Sequence, residues 1–269
     1  GGNLDISKGM ISKFSQEFAE KSEPLRKSAA SELFLYPVMH TDCTNARVNG
    51  QRAYVFICAA PDGPALYYAR GAKGHAGVAG TPVEDYQGIL IHDHEKTFYK
   101  YGSAHQECLA HVLRYLKGSI ENEPERTWNK DMHSLLQEMV HYVNGVESGE
   151  ERDSVKIHEY ETRYAQVLKT ASSEYEDIPC SDYYREGFNL AARMNVYRDA
   201  HLLFLHDSRV PTTNNLAERL LRFIKRKQNQ AMSFRSIKSL EFLCDSMSVL
   251  FLMRQEDGNL YDKVSAVFG

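Results

Sequence analysis

Hydrophobic positions change their period several times along this chain. Over residues 7–33 they fall at helical spacing: Ile6, Met10, Ile11 and Phe14 line one face, Phe18 continues it, and Ser7 is placed to cap. The pattern there is helical. From residue 38 the character turns to that of strands, over 38–45, 52–60 and 65–70. The connections are Asn49-Gly50, a strong hairpin signal, and Pro61-Asp62-Gly63-Pro64. Three strands joined by two tight turns read as an antiparallel meander.

Residues 71–81 are Gly-rich and loop-like, and 82–86 suit a short helix. Residues 88–92, Gly-Ile-Leu-Ile-His, are almost wholly apolar and fit a buried central strand. A further short strand is expected over 105–108 and a helix over 109–116. The long stretch 127–205 is helical in pattern, with Leu135, Leu136, Met139, Val140 and Val143 on one stripe and Tyr160, Tyr164, Val167 and Leu168 on another. Pro179 breaks it and 188–204 resumes it. A helix over 211–228 and one over 240–253 close the chain. The fold class is α/β, a mixed sheet flanked by helices.

The helix over 211–228 starts sharply. Pro211 and the following Thr/Asn cluster do not continue a preceding helix, and Thr213, Asn214 or Asn215 can cap the next turn. Leu216, Leu220, Phe223 and Ile224 make an apolar stripe, while Asn215, Glu218 and Arg222 share another face. Basic residues accumulate at Arg219, Arg222, Lys225, Arg226 and Lys227. A surface helix with Glu218 paired to Arg222 would account for these residues. So would a metal-binding carboxylate beside a phosphate-contacting strip, provided partner carboxylates exist elsewhere.

Composition narrows the choice only a little. Hydrophobic and charged contents of 42% and 25% are ordinary for a globular chain of 269 residues. The formal net charge of −4 argues against wholesale nucleic-acid affinity, so any such binding must come from uneven distribution. The distribution is uneven: residues 121–161 hold eleven acids and four bases, whereas 219–240 hold seven bases and no acid. Five scattered cysteines form no paired framework, which suits a reducing cytoplasm. No apolar run approaches the ~18–20 residues of a membrane span. The leading Gly1-Gly2 reads as a cloning remnant, and the chain as a piece of something longer.

Two acids occupy strand positions where an acid needs explaining: Asp42 within the first strand and Asp93 at the end of the apolar one. Each alone would pass as a turn or cap residue. With Glu218 they form three carboxylates that would repel one another unless a divalent cation neutralised them. All-oxygen ligation suits Mg²⁺ or Mn²⁺, and two such ions form the clamp used in phosphodiester displacement.

Asp42 in a first strand, Asp93 after an apolar strand, Cys108-x-x-His111, a long helical stretch and Asn214-Asn215-Leu216-Ala217-Glu218-Arg219 before a basic run resemble the DDE-type transposases of bacterial insertion sequences, and among them the insertion sequence sixty-six family. The resemblance covers about 38–253 and is most specific over 213–227. It implies a ribonuclease H-like core in two parts, 34–120 and 209–269, with a helical insertion over 121–208 before the last catalytic carboxylate. Residues 1–33 would be the helical remnant of an upstream DNA-binding segment. It also implies Asp42, Asp93 and Glu218 as the metal-binding triad for two ions, Mg²⁺ or Mn²⁺. The partners would be DNA at the element ends and the target, a homodimer is plausible, and the setting would be the bacterial cytoplasm, nucleoid-associated on DNA. Departures exist: Cys43 follows Asp42 where the family more often has an acid, and Thr213 stands where an Asp commonly precedes the Asn pair.

Supporting roles fall to His40, on the same strand face as Asp42, and to Asn215. Cys108 and His111 are read as positioning the adjacent strand; a closed zinc site would need two more ligands, with His105 the near candidate. His92 and His94 point away from Asp93, toward DNA or the rim. The expected function is metal-dependent cleavage of DNA at element ends and transfer of the freed 3′ hydroxyl into target DNA. A hydrolytic nuclease without strand transfer, or an inactive DNA-binding derivative, would show the same triad.

Overall fold

A computed structural model describes residues 8–146, 150–176, 186–231 and 234–269. Ile6, the expected cap Ser7 and the break at Pro179 lie outside them. The chain begins with α1 (Lys8–Lys21) and α2 (Glu23–Leu33), then β1 (Val38–Val48), β2 (Gln51–Ala59), β3 (Ala65–Arg70) and the short α3 (His75–Val78). β4 (Ile89–His92) and β5 (Ala104–Glu107) lead into α4 (Leu109–Asn122), α5 (Trp128–Gly145), α6 (Ser154–Tyr175), α7 (Glu186–Val196) and α8 (Arg198–His206). α9 (Asn215–Ala231), α10 (Ile237–Gln255) and α11 (Leu260–Phe268) follow. The helical stretch expected over 7–33 forms two helices. Pro24 sits in the first turn of α2, where its missing N–H and fixed φ are tolerated, and it cannot continue α1.

The five strands lie in the order β3-β2-β1-β4-β5, with β1–β2 and β2–β3 antiparallel. Asn49 and Gly50 both have positive φ, 48° and 77°, the primed turn that a two-residue hairpin requires. The meander read from the sequence is present.

The chain divides into two compact units. The first comprises Gly1–Leu90, Glu95–Ser103 and Asn215–Gly269. Here β2 alternates. Ala53, Val55, Ile57 and Ala59 pack with Ala217, Leu220, Leu221 and Ile224 of α9 and with Leu240 and Cys244 of α10. Phe56 and Cys58 face the other way, with Leu33 of α2, Met39, Val83, Leu90 and Phe98. Tyr67 ties the layers: its hydroxyl donates to the Leu220 carbonyl at 2.9 Å, and its N–H donates to Ser248 Oγ at 2.9 Å. The apolar stripe of α9 differs slightly from expectation. Ala217, Leu220, Leu221 and Ile224 are buried, whereas Phe223 is exposed.

The second unit comprises Ile91–His94 and Ala104–Asn214, and its core is helical. Trp128, Met132, Leu136 and Met139 of α5, Tyr160 and Tyr164 of α6, Met194 of α7 and Phe204 of α8 are all buried. Trp128 donates its indole N–H to the Tyr175 hydroxyl at 3.2 Å, which satisfies the one polar atom of that large side chain. Among the described residues, no helix is long and apolar enough to cross a membrane.

Candidate active site

Asp42 lies on β1 directly opposite Ile57 of β2. Residues paired this way share a sheet face, so Asp42 points to the side that α9 covers. Its Oδ1 accepts a hydrogen bond from the Cys43 N–H at 2.6 Å. His40, two residues earlier, shares the face and is buried.

Glu218 stands in the first turn of α9 and is half-buried. The alignment of α9 with β1 follows from two anchors. Lys225 Nζ donates to the Asn45 carbonyl at 2.6 Å, and Phe234, beyond the helix, exchanges backbone hydrogen bonds with Arg47 and Asn49. Helix and strand therefore run in the same sense. Two helical turns back from Lys225 is roughly 10 Å; three strand residues back from Asn45 is also roughly 10 Å. This brings the turn carrying Glu218 level with Asp42. Arg222 approaches Glu218 only to 4.0 Å.

The basic strip divides. Arg219, Arg222, Arg226 and Lys227 are exposed along α9, with Arg226 over the Phe223 ring at 5.7 Å. Lys225, expected among the phosphate contacts, is half-buried and donates to the Asn45 carbonyl, and burial lowers its pKa. Asn215 is the exposed first residue of α9.

Asp93 follows β4, in the second unit. Cys108, which follows the neighbouring strand β5, donates its N–H to the His92 carbonyl at 2.9 Å. That bond sets the residues just past the two strands side by side. Cys108 is then the N-cap of α4, and three residues of helix return His111 to the same end. One ligand atom each from Asp93, Cys108 and His111 lies within 4.8 Å of the other two. His111 Nδ1 stands 3.1 Å from Asp93 Oδ1. The Asp93 carboxylate, with the Cys108 sulfur beside it, raises the His111 pKa to about 10, so the imidazole is cationic at neutral pH. The Cys108 sulfur is buried and accepts the Asn214 N–H at 3.2 Å.

Several histidines lie elsewhere than expected. His92 is not at a rim: it is buried, with Nε2 3.1 Å from His105 Nδ1 and Nδ1 2.5 Å from the Asp93 carbonyl. Burial pushes its pKa down to about 4, so it is neutral. His105 is thus engaged with His92, and Asp93 is the carboxylate beside Cys108 and His111. His94 turns inward to Glu107.

Glu107, which sequence reasoning passed over, is fully buried at the end of β5. Its Oε2 takes His94 Nδ1 at 2.9 Å and faces His201 Nε2 at 3.3 Å; Arg193 reaches Oε1 at 3.7 Å. Tyr164 stands 2.9 Å from the far nitrogen of His201. One carboxylate thus gathers α6, α7, α8, β5 and the residue after Asp93. A buried acid needs several such donors to offset its desolvation. The available signal was Glu107 itself, an acid in the strand residue just before the Cys-x-x-His pair.

Among known families, the one described as "Transposase IS66 family" matches residues 2–241. No curated protein sequence matches the chain.

Proposed function

Because the chain belongs to the IS66 family of transposases, we propose that it is the catalytic part of a DNA transposase. It would cut phosphodiester bonds at the ends of an insertion element and join the freed 3′ hydroxyl to target DNA. The observation that carries this reading is the register of α9 on β1, which levels the turn of Glu218 with Asp42. Asp93 follows β4, the strand next to β1 in the sheet.

Asp42, Asp93 and Glu218 would hold the metal. All three are half-buried: sheltered enough to strengthen electrostatics, yet open enough to admit hydrated cations and a phosphate. Hard oxygen donors of this kind suit Mg²⁺ or Mn²⁺. Two bound ions would supply Lewis-acid stabilisation of the attacking and leaving oxygens. His40 supports Asp42 from the same strand face, and His111 neutralises Asp93 from the side. Arg219, Arg222, Arg226 and Lys227 bind and orient the DNA backbone, and each phosphate contact steepens the loss of affinity with salt. Joining two element ends calls for a second copy, and a homodimer is the simplest assembly.

The test is a cleavage and strand-transfer assay on oligonucleotides carrying the element ends, with Mg²⁺ or Mn²⁺. Asp42→Asn, Asp93→Asn and Glu218→Gln should each lower both steps by on the order of 10²–10³-fold or more, with folding retained. Activity surviving any of the three substitutions would overturn the triad. Cleavage without joining of pre-cut ends would replace the transposase chemistry by hydrolysis.

A further inference from the structure

We propose that Asp93, Cys108 and His111 form a binding face for a borderline-soft divalent cation of the zinc class, such as Zn²⁺ or Co²⁺. The inference stands on these three side chains and does not require the DNA-cleaving reading.

The geometry is that of a partly assembled tetrahedral site. In such a site the metal–sulfur distance is about 2.3 Å and metal–nitrogen or metal–oxygen distances are about 2.0–2.2 Å, so neighbouring ligand atoms are roughly 3.3–3.7 Å apart. The three ligand atoms already lie within 4.8 Å of one another, with the carboxylate and imidazole at 3.1 Å. Side-chain adjustments of roughly an ångström would close the set around an ion. The frame beneath them is fixed. The Cys108–His92 backbone bond joins β5 to β4, and Leu109 donates its N–H to the Thr212 carbonyl at 2.9 Å.

The donor types select the ion. A thiolate and an imidazole favour Zn²⁺ or Co²⁺ over Mg²⁺, which takes oxygen ligands and keeps its waters. Cys108 is placed to offer its sulfur. It stands at the N-cap position of the fourteen-residue helix α4, and its sulfur accepts the Asn214 N–H at 3.2 Å. His111 sits one turn along the same helix and Asp93 supplies the oxygen. On binding, the thiol proton and one imidazole proton leave to solvent, and metal–sulfur and metal–nitrogen bonds form in their place.

Behind the site, the buried Glu107 binds His94, the neighbour of Asp93, while being itself the neighbour of Cys108. Pre-organisation from behind is what outer-shell groups supply in metal sites.

The experiment titrates the metal-free chain with Co²⁺ and records its absorption spectrum. Wild type should develop a sulfur-to-cobalt charge-transfer band in the near ultraviolet, together with d–d bands of tetrahedral intensity. Cys108→Ser should remove the charge-transfer band, and His111→Gln should weaken Co²⁺ binding by about tenfold or more. Asp93→Asn should keep the band at lower affinity, because the sulfur remains. Cys43→Ser and Cys180→Ser serve as controls and should leave it unchanged. Lack of the band in folded wild type, or its survival in Cys108→Ser, would overturn the proposal. Should Cys108→Ser fail to fold, wild type and His111→Gln still decide. A band in a chain without nuclease activity would count against the DNA-cleaving reading alone; nuclease activity without a band would count against this one alone.

Discussion

Two solutions to burial stand side by side in this chain. In the first unit, the face of β2 and the stripe of α9 are apolar throughout, and their contact needs little beyond shape and alternation. In the second, a fully buried glutamate is surrounded by two histidines and an arginine, with a tyrosine behind one of the histidines. The first arrangement tolerates change in proportion to the area lost. The second holds its parts in one geometry and fails abruptly when a partner is removed, because a charge is left behind. The polar knot lies next to Asp93 and Cys108, where fixed geometry matters most, and the apolar layer supports α9 from beneath.

The largest expected effect tests that contrast directly. Glu107→Ala should destabilise the protein by about 3–5 kcal/mol, since the Arg193 and His201 side chains would be left in the interior. A loss below ~1 kcal/mol in denaturant unfolding would mean that the network is merely tolerated. On the apolar side, Leu220→Ala should lose about 2–5 kcal/mol. There a double substitution with a distant core residue should be additive, whereas Glu107 and His201 should show strong coupling in the same kind of cycle.

Titration sharpens the comparison further. The metal-free His111 pair with Asp93 raises the folded pKa to about 10. A raised folded pKa contributes stability that is complete below the unfolded value near 6.5 and is lost as pH rises through about 10. Denaturant midpoints measured across that window should fall in wild type, and Asp93→Asn should flatten the slope. The smallest effect belongs to the surface. Arg163 grips Glu138 with two hydrogen bonds, 2.9 and 2.7 Å, yet both side chains are exposed. Glu138→Gln should therefore change stability by less than about 1 kcal/mol.

What could be read from the sequence follows the same division. The β1–β2 hairpin was legible because Asn49-Gly50 fixes a turn type locally, and β2 because it is rich in Tyr, Val, Phe and Ile. α9 was legible by its period, although its start and the burial of Ala217 and Leu221 rather than Phe223 depend on how it lies on the sheet. The break between α1 and α2 comes with Pro24, a signal that the apolar positions up to Phe18 do not carry. Of the candidate site, the acids stood out as polar residues at strand positions. The turn of His94 toward Glu107, the pairing of His92 with His105 and the contact of His111 with Asp93 rest on how β4 and β5 align. No local pattern encodes that. The bond of Lys225 was hidden for a related reason: charge along a helix announces itself, but a carbonyl such as that of Asn45 waiting beneath it does not.

The backbone bridge from Phe234 to β1 has a consequence for solubility. β1 is eleven residues long and its neighbour β4 only four, so the far end of β1 outruns that neighbour and would present bare amide groups to other molecules. Phe234 occupies the stretch, taking its carbonyl and N–H partners at Asn49 and Arg47. A short return of the chain thereby denies strangers a place to add a strand.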